Sequence, residues 1–471
     1  MATSICIDDS NGFLDKLFKG TTLLNNRVNN RVNNRVNNRV NNRLKTRLKK
    51  TQKKNRFNYS NGIDSSSDLF WLKTYVSEKT REIVDYNFDD FVKLFDLYQK
   101  SSLKINVIQN SKIQKSELDT ILKKLPAHFI WNENKIMISN SLIEPENNSC
   151  KYILVKYFFE KYNGTIELYY KNTYSTSYII KVINLITKII GFYAMYATKK
   201  DYFTKLPNFK IFYADTNKCL PKKGKILGQE EINSGFTLEN AIVLYRKQEI
   251  FKIVIHELQH FYRIDFGGKD MELPTLSIKQ LLEQTYNVSP SKINPTESYA
   301  ETNAAILNLI FSISSPITKE KLSSKLFSEM MFSLYQTAKL LNFENITSSD
   351  HIYKKQSSMN QHNLKFRQQT FAFEYHYLKA KLLFNYNSLL DYINNIHIYN
   401  EKDNLKNKEL LNLKFPRQLS DNVINPKEDL FKNFGIKLLM KDIDFDKALN
   451  IIMKNKPNDV NLRMTKTEIP L

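Results

Sequence analysis

Cysteine is the first scarcity: Cys6, Cys150 and Cys219 are the three in 471 residues. Odd in number and far apart, they exclude a disulfide framework and favour a reducing compartment. Glycine (11) and proline (12) are sparse too, while Asn, Lys, Ile, Tyr and Phe abound. A/T-rich codons produce that bias unaided, so part of the basic character needs no partner to explain it. The opening "MATSICIDDSNGF" lacks a basic stretch followed by an apolar run. No secretory signal is visible, and an intracellular setting is the expectation. An uninterrupted apolar span is missing as well. The longest candidate, "IIKVINLITKIIGFYAMYA" at 179–197, carries Lys181, Asn184, Lys188 and Gly191 at helical spacing. That stripe marks a mostly buried amphipathic helix, not a membrane span.

What is present is bulk and positive charge. Hydrophobic residues make up 42% of the chain, enough for one large or two ordinary domains with a real core. Lys and Arg outnumber the acids 70 to 48, a net +22. Half of that excess sits in residues 1–60, which hold 14 basic residues against Asp8, Asp9 and Asp15. Here "NNRVNNRVNNRVNNRVNNRL" at 25–44 repeats a four-residue unit five times. Asn is a poor helix former, like charges at i, i+4 repel, and one Val or Leu in four buries little. The segment is therefore expected to be disordered when free. It reads either as an arm for nucleic acid or an anionic surface, or as an expanded insert with no selected role.

Four segments follow from these shifts: a disordered basic tail at 1–62, a mainly helical segment at 63–150, a core at 151–400, and a C-terminal helical segment and tail at 401–471. Residues 68–126 read as helices, "LFWLKTYVSEKTREIVDY" among them. From about residue 150 strands appear: "TIELYYKN" at 165–172, "FKIFYAD" at 209–215, "NAIVLYR" at 240–246, and a short one in "INSGFT" at 232–237. A helix over 177–197 lies among them and another over 248–264 follows, so the fold class is α+β with a mixed sheet.

The second of those helices carries the chemistry, in "IVIHELQHFYRIDF" at 253–266. An α-helix sets residues i and i+4 on one face, so His256 and His260 can offer two imidazole nitrogens to one ion at the ~2.0 to 2.1 Å that zinc takes. Glu257, one residue round, misses the ligand axis but reaches a water beside the ion, as a base would. By composition, His-Glu-x-x-His arises by chance in roughly 0.5% of such chains. Zinc needs a third protein ligand. Downstream, "NPTESYAETNAAILNLIF" at 294–311 opens a helix with Glu297 and Glu301, again i, i+4. Glu297 is placed to bind the ion, and Glu301 to accept the other ring N–H of His256. Ala300, Ala304 and Ala305 let the two helices approach. Two first-turn acids also suit a helix dipole without any metal.

"HELQH" followed by "ESYAE" resembles the zincin superfamily of metallopeptidases, and within it the gluzincin branch, where a glutamate on a second helix is the third ligand. The Glu-x-x-Ala-Glu form resembles the lethal-factor type more than the thermolysin type. The stretch "NSGFT…NAIVLYRKQEIFKIVIHELQH" is also similar to uncharacterised metallopeptidase-like proteins of large DNA viruses. This likeness covers about residues 165–320. It implies a zincin-like core, zinc as cofactor held by His256, His260 and Glu297, and a protein or peptide substrate. It implies too that the strand before the histidine helix, here "NAIVLYR", borders the cleft and pairs with extended substrate. "FYRIDFGG" lacks the third histidine of the metzincins, with Asp265 a weaker ligand candidate.

On that reading Glu257 accepts the proton of the attacking water and delivers it to the leaving amine. An oxyanion donor is also required. "TFAFEYHYLKAKLLF" at 370–384 offers Tyr375, His376 and Tyr377, although aromatic clusters at helical spacing usually build core. His128, His351, His362 and His397 have no neighbours that make a site. Two rivals remain: a zincin-fold binding protein without activity, and a nucleic-acid or virion packaging protein acting through its basic arm.

Overall fold

The computed structural model describes residues 65–199, 205–265, 272–289, 293–354, 365–387, 441–457 and 459–471. The expectations for the basic tail at 1–62, and for His362 and His397, lie outside the described residues. The chain divides into two units, Met1–Leu72 and Lys73–Leu471; the second carries the fold set out below.

Helix α1 spans Ser65–Lys100 and buries Val76, Ile83, Val84, Phe91, Phe95 and Tyr98, a spacing that keeps one face apolar. Strand β1 (Lys104–Gln114), helices α2 (Lys115–Lys123) and α3 (Asn132–Leu142), and strands β2 (Ser149–Phe159) and β3 (Tyr162–Tyr170) follow. Next come α4 (Thr176–Lys199), β4 (Asn208–Phe212), β5 (Gly235–Thr237), β6 (Ala241–Leu244) and α5 (Ile250–Phe261). The chain continues through α6 (Glu272–Thr285), β7 (Val288–Ser289), α7 (Pro295–Phe311), α8 (Lys319–Phe343) and β8 (Phe366–Arg367). A π-helical turn at Glu374–Leu378 runs into α9 (Lys379–Phe384), and α10 (Ile443–Lys454) precedes the last residues.

Six strands form one sheet in the order β1-β2-β3-β4-β6-β5. The β3–β4 and β4–β6 pairs are parallel and the others antiparallel, so the sheet is mixed and the class is α+β. In β3 the alternation of Ile166, Leu168 and Tyr170 fills the core, which is what a strand with period-two patterning does. In β2, Ile153, Val155 and Tyr157 do the same; the alternation was present in "CKYILVKYFFE" but falls at the edge of the expected boundary near 150.

Two expectations need correcting. Residues 104–114 are a strand, not helix: β1 is largely exposed and amphipathic in neither period, and it is held by its ladder to β2, from Lys104↔Phe158 to Gln114↔Ser149. That ladder also joins residues on the two sides of position 150 in one sheet. The strand of "NAIVLYR" does not border a cleft, because β6 lies between β4 and β5; the edge belongs to β5, the short strand of "INSGFT". Among the described residues, Cys150 is a buried free thiol.

Among the described residues, α4 is the one helix long and apolar enough to cross a membrane, with a mean hydropathy of 1.5. It is nonetheless packed in protein: Ile179, Val182, Ile183, Ile186, Ile189 and Ile190 are buried. Gly191 lets it close on the end of α1, since a Cβ there would stand 2.1 Å from the Ser101 carbonyl oxygen. Two residues on, the Tyr193 hydroxyl donates to the Ile255 carbonyl oxygen at 3.2 Å, bracing α5 from behind.

Candidate metal centre

Helix α5 is buried from Ile250 to Gln259, so its polar side chains need partners inside the protein. Its two ends are fixed by backbone devices. At the start, Glu249 adopts φ 60°, a left-handed conformation rare for a side-chain-bearing residue. Its buried carboxylate accepts from the backbone N–H groups of Met464 (2.7 Å) and Thr465 (2.6 Å), which hold it there. At the other end, Arg263 takes φ 55°. The Arg263 N–H donates to His260 O at 3.1 Å and the Ile264 N–H to Gln259 O at 2.9 Å, a Schellman closure. The turn folds the chain back so that Asp265 meets the ring of His260.

Helix α7 begins at Pro295 behind an Asn294 N-cap that accepts from the Thr296 N–H. The Glu374 carboxyl group accepts from the Asn294 N–H at 2.7 Å, pinning this start. The Gln259 side-chain amide donates to Ala300 O at 2.8 Å, and Ala300, Ala304 and Ala305 are fully buried. Small residues thus bring α5 and α7 into register, as their spacing anticipated.

Three ligand-type atoms converge there. His256 Nε2 and His260 Nε2 are 3.0 Å apart, and Glu297 Oε2 lies 3.5 Å from the first and 3.6 Å from the second. A tetrahedral ion with bonds of ~2.05 Å separates its ligands by about 3.3 Å, so the triangle has the size a zinc ion requires. Two imidazoles and a carboxylate also form the donor set of a zinc site that keeps a further position open. The His256 side chain is 6% exposed, but those of His260 and Glu297 are 19% and 14% exposed; the triangle faces solvent on one side.

Each imidazole has a carboxylate behind it. Glu301 Oε2 lies 3.2 Å from His256 Nδ1, and Asp265 Oδ2 lies 2.5 Å from His260 Nδ1. Asp265 therefore stands on the far nitrogen of His260, not in the ligand triangle, and orients the ring. Glu301 also pairs with the buried Lys252. Burial raises the Glu301 carboxyl, but Lys252, His256 and Lys379 outweigh it and the net shift is downward. Glu297 moves the same way, burial being overcome by His260 and His256. Burial depresses His256 and His260, yet the acids around them leave both raised, His260 most. The cluster is built for positive charge.

Glu257 points to the edge strand. Its Oε2 accepts from the Thr237 hydroxyl at 2.8 Å, so β5 fixes the carboxylate beside the triangle. Of the three donor candidates, Tyr375 reaches the site: its hydroxyl donates to Glu297 Oε2 at 2.8 Å and its ring stands 5.6 Å from that of His256. Burial, then the carboxylates of Glu297 and Glu257, hold this phenol protonated. His376 and Tyr377 are not brought there. The His376 ring is buried with neither nitrogen partnered among the described residues, and burial and Lys379 keep it neutral. The Tyr377 hydroxyl pairs with that of Tyr353 at 3.0 Å. Successive residues on a helix point about 100° apart, so three in a row cannot all face one site.

No protein-family model, curated protein or solved structure matches this chain. Function has to be read from the side chains themselves. Sequence reasoning missed Thr237, twenty residues before its partner, and Asp265 in its orienting role. Neither has a local signal, since a hydroxyl on a three-residue strand and an acid after a helix are both common.

Proposed function

We propose that this protein is a zinc-dependent peptidase, with the ion held by His256, His260 and Glu297. The observation that carries the reading is the 3.0, 3.5 and 3.6 Å triangle of their ligand atoms, open on one side. When bound, zinc lowers the pKa of an adjacent water to near neutrality and polarises a carbonyl. Everything else falls to the chain. Glu257, its Oε2 steadied by Thr237, takes the proton of the attacking water and passes it to the leaving amine nitrogen. Tyr375 donates its hydroxyl proton to the carbonyl oxygen as negative charge gathers there. Glu301 and Asp265 hold the two imidazoles in orientation.

Strand β5 supplies a place for extended substrate. Tyr245 N–H donates to Ser234 O and Leu238 N–H to Ala241 O, and Phe236 pairs with Val243 between them. The ladder to β6 thus uses the even-numbered residues, which turns the main-chain groups of Gly235 and Thr237 to the open edge.

The test uses three variants. Glu257→Gln should retain one zinc and the fold but lose cleavage by about 10² to 10⁴-fold, the usual contribution of a general base. His256→Ala and Glu297→Ala should each lose the zinc. Proteolysis at the wild-type rate in Glu257→Gln would defeat the mechanism, and stoichiometric zinc in the two alanine variants would defeat the site. A catalytically silent binding protein would retain zinc and cleave nothing in any form.

A further inference from the structure

A cleft beside the metal triangle is lined by His256, Glu257 and Tyr375, and also by Lys218, Lys252 and Ser234. Lys252 is matched by Glu301. Lys218 is not matched in the same way. It is 1% exposed, and among the described residues its ammonium meets one carboxylate oxygen, Glu249 Oε2, at 3.4 Å and the Met464 sulfur at 3.3 Å. An ammonium carries three N–H donors, and Glu249 is already engaged by two backbone N–H groups. Ser234 adds a second donor in want of an acceptor, a buried hydroxyl with no hydrogen-bond partner among the described residues.

We propose that this cleft receives an acidic side chain from the substrate residue that follows the scissile bond, with Lys218 as counter-ion and the Ser234 hydroxyl as a second donor. The assignment rests on the peptidase reading and adds a substrate class to it. The position follows from strand direction. A peptide laid antiparallel along β5 runs from Thr237, which holds Glu257, towards Gly235 and Ser234. Residues beyond the bond being cut then pass over the cleft. Charge agrees with this. Burial, only partly offset by Glu249, brings Lys218 down to about 8, and burial raises Glu329 in the adjoining Lys379–Glu329 pair. Burial thus outweighs what Glu249 gives Lys218, and an incoming carboxylate would favour the charged ammonium. The chain's +22 also draws acidic peptides at long range.

The experiment takes the full chain loaded with zinc and a peptide library randomised on both sides of a central bond, with products identified by mass spectrometry. A matched pair then carries Glu or Gln after the cleaved bond. The wild type should favour Glu at least ~10-fold in kcat/KM, as a hydrogen-bonded buried charge pair does. Lys218→Met should bring the Glu/Gln ratio close to one, and Lys218→Arg should keep it well above one. Equal cleavage of Glu and Gln peptides by the wild type, or an acid demanded at another position, overturns the assignment while leaving the peptidase intact. This arm decides even if the methionine variant does not fold. No cleavage of any library member by zinc-loaded protein overturns the peptidase reading, and the assignment with it.

Discussion

Replacing Asp265 tests the metal centre without touching a ligand. Its Oδ2 lies 2.5 Å from His260 Nδ1, and its side chain is 6% exposed, so bulk water is not at hand to take its place. Two routes give the size of the effect. A hydrogen bond to a charged acceptor contributes about 1.5 to 3 kcal/mol. Removing the partner that orients a metal-binding imidazole typically weakens metal binding about 10- to 100-fold, or about 1.4 to 2.7 kcal/mol. The two ranges overlap, so Asp265→Asn, which keeps shape but drops charge, should weaken zinc about 10-fold, and Asp265→Ala closer to 100-fold. The assay is competition against a chromophoric chelator, with all proteins in one buffer at one pH because zinc displaces protons on binding. Circular dichroism checks that the fold survives. Zinc binding within about twofold of wild type in both variants would mean that the ring is held by something else and that the contact is incidental. Loss of binding together with loss of fold in both would make Asp265 part of the core, and the orienting role would fall.

Further outcomes follow from neighbouring contacts. Thr237→Val removes the hydroxyl that holds Glu257; kcat/KM should fall about 10-fold with zinc content unchanged, and unaltered kinetics would remove β5 from the mechanism. Tyr375→Phe should lower kcat about 100-fold with KM little moved, whereas a change confined to KM would make Tyr375 a binding residue. Burial raises the Glu374 carboxyl from its usual 4.5 to about 8, so its proton favours the folded state. In urea titrations of the metal-free protein, stability should fall by up to about 1.4 kcal/mol per pH unit as pH rises from 4.5 to 8, then level. Glu374→Gln should flatten that slope, and an identical slope in the variant would assign it elsewhere. Lys252→Met alone strands the buried Glu301 carboxylate and should cost about 3 to 5 kcal/mol, while Lys252→Met with Glu301→Leu should be near neutral for folding but bind zinc more weakly. Wild-type zinc affinity in the double variant would detach the ion pair from the site.

Some of this was legible in the sequence because it is local. His256 and His260 are one helical turn apart, Glu297 and Glu301 likewise, and the alanines between and after the acids announce close packing; these relations survive any tertiary context. The α+β class was legible for the same reason, since β3, β4 and α4 each carry their own period. What could not be read depends on the chain returning to itself. Asp265 reaches His260 through a turn with Arg263 in a left-handed conformation, where glycine is the usual signal. Thr237 meets Glu257 because β5 is an edge, and "INSGFT" does not say whether it lies inside or outside the sheet. Lys218 and Met464, 246 residues apart, have no shared local pattern. Strand β1 was mistaken for helix because exposed strands lack the alternation that identifies buried ones.

The two ends of α5 suggest how the site is kept rigid. Buried ion pairs rarely repay their desolvation as stability, and apolar packing of equal volume does as well or better. Beneath this helix lie Lys218 with Glu249, Lys252 with Glu301, and Lys379 with Glu329; a core selected for stability alone would not need them. Direction is what they add. Lys252 is one turn before His256 on the same helix and holds Glu301, which faces the His256 ring. Glu249 ties the first turn to Met464 and Thr465, and Glu329 accepts from the Thr465 hydroxyl and the Lys466 N–H. The segment from Met464 to Lys466 thus clamps α5 at the end opposite the Schellman turn that positions Asp265. A helix held at both ends cannot rotate its histidines out of register with Glu297, which a triangle only 3.0 to 3.6 Å on a side demands.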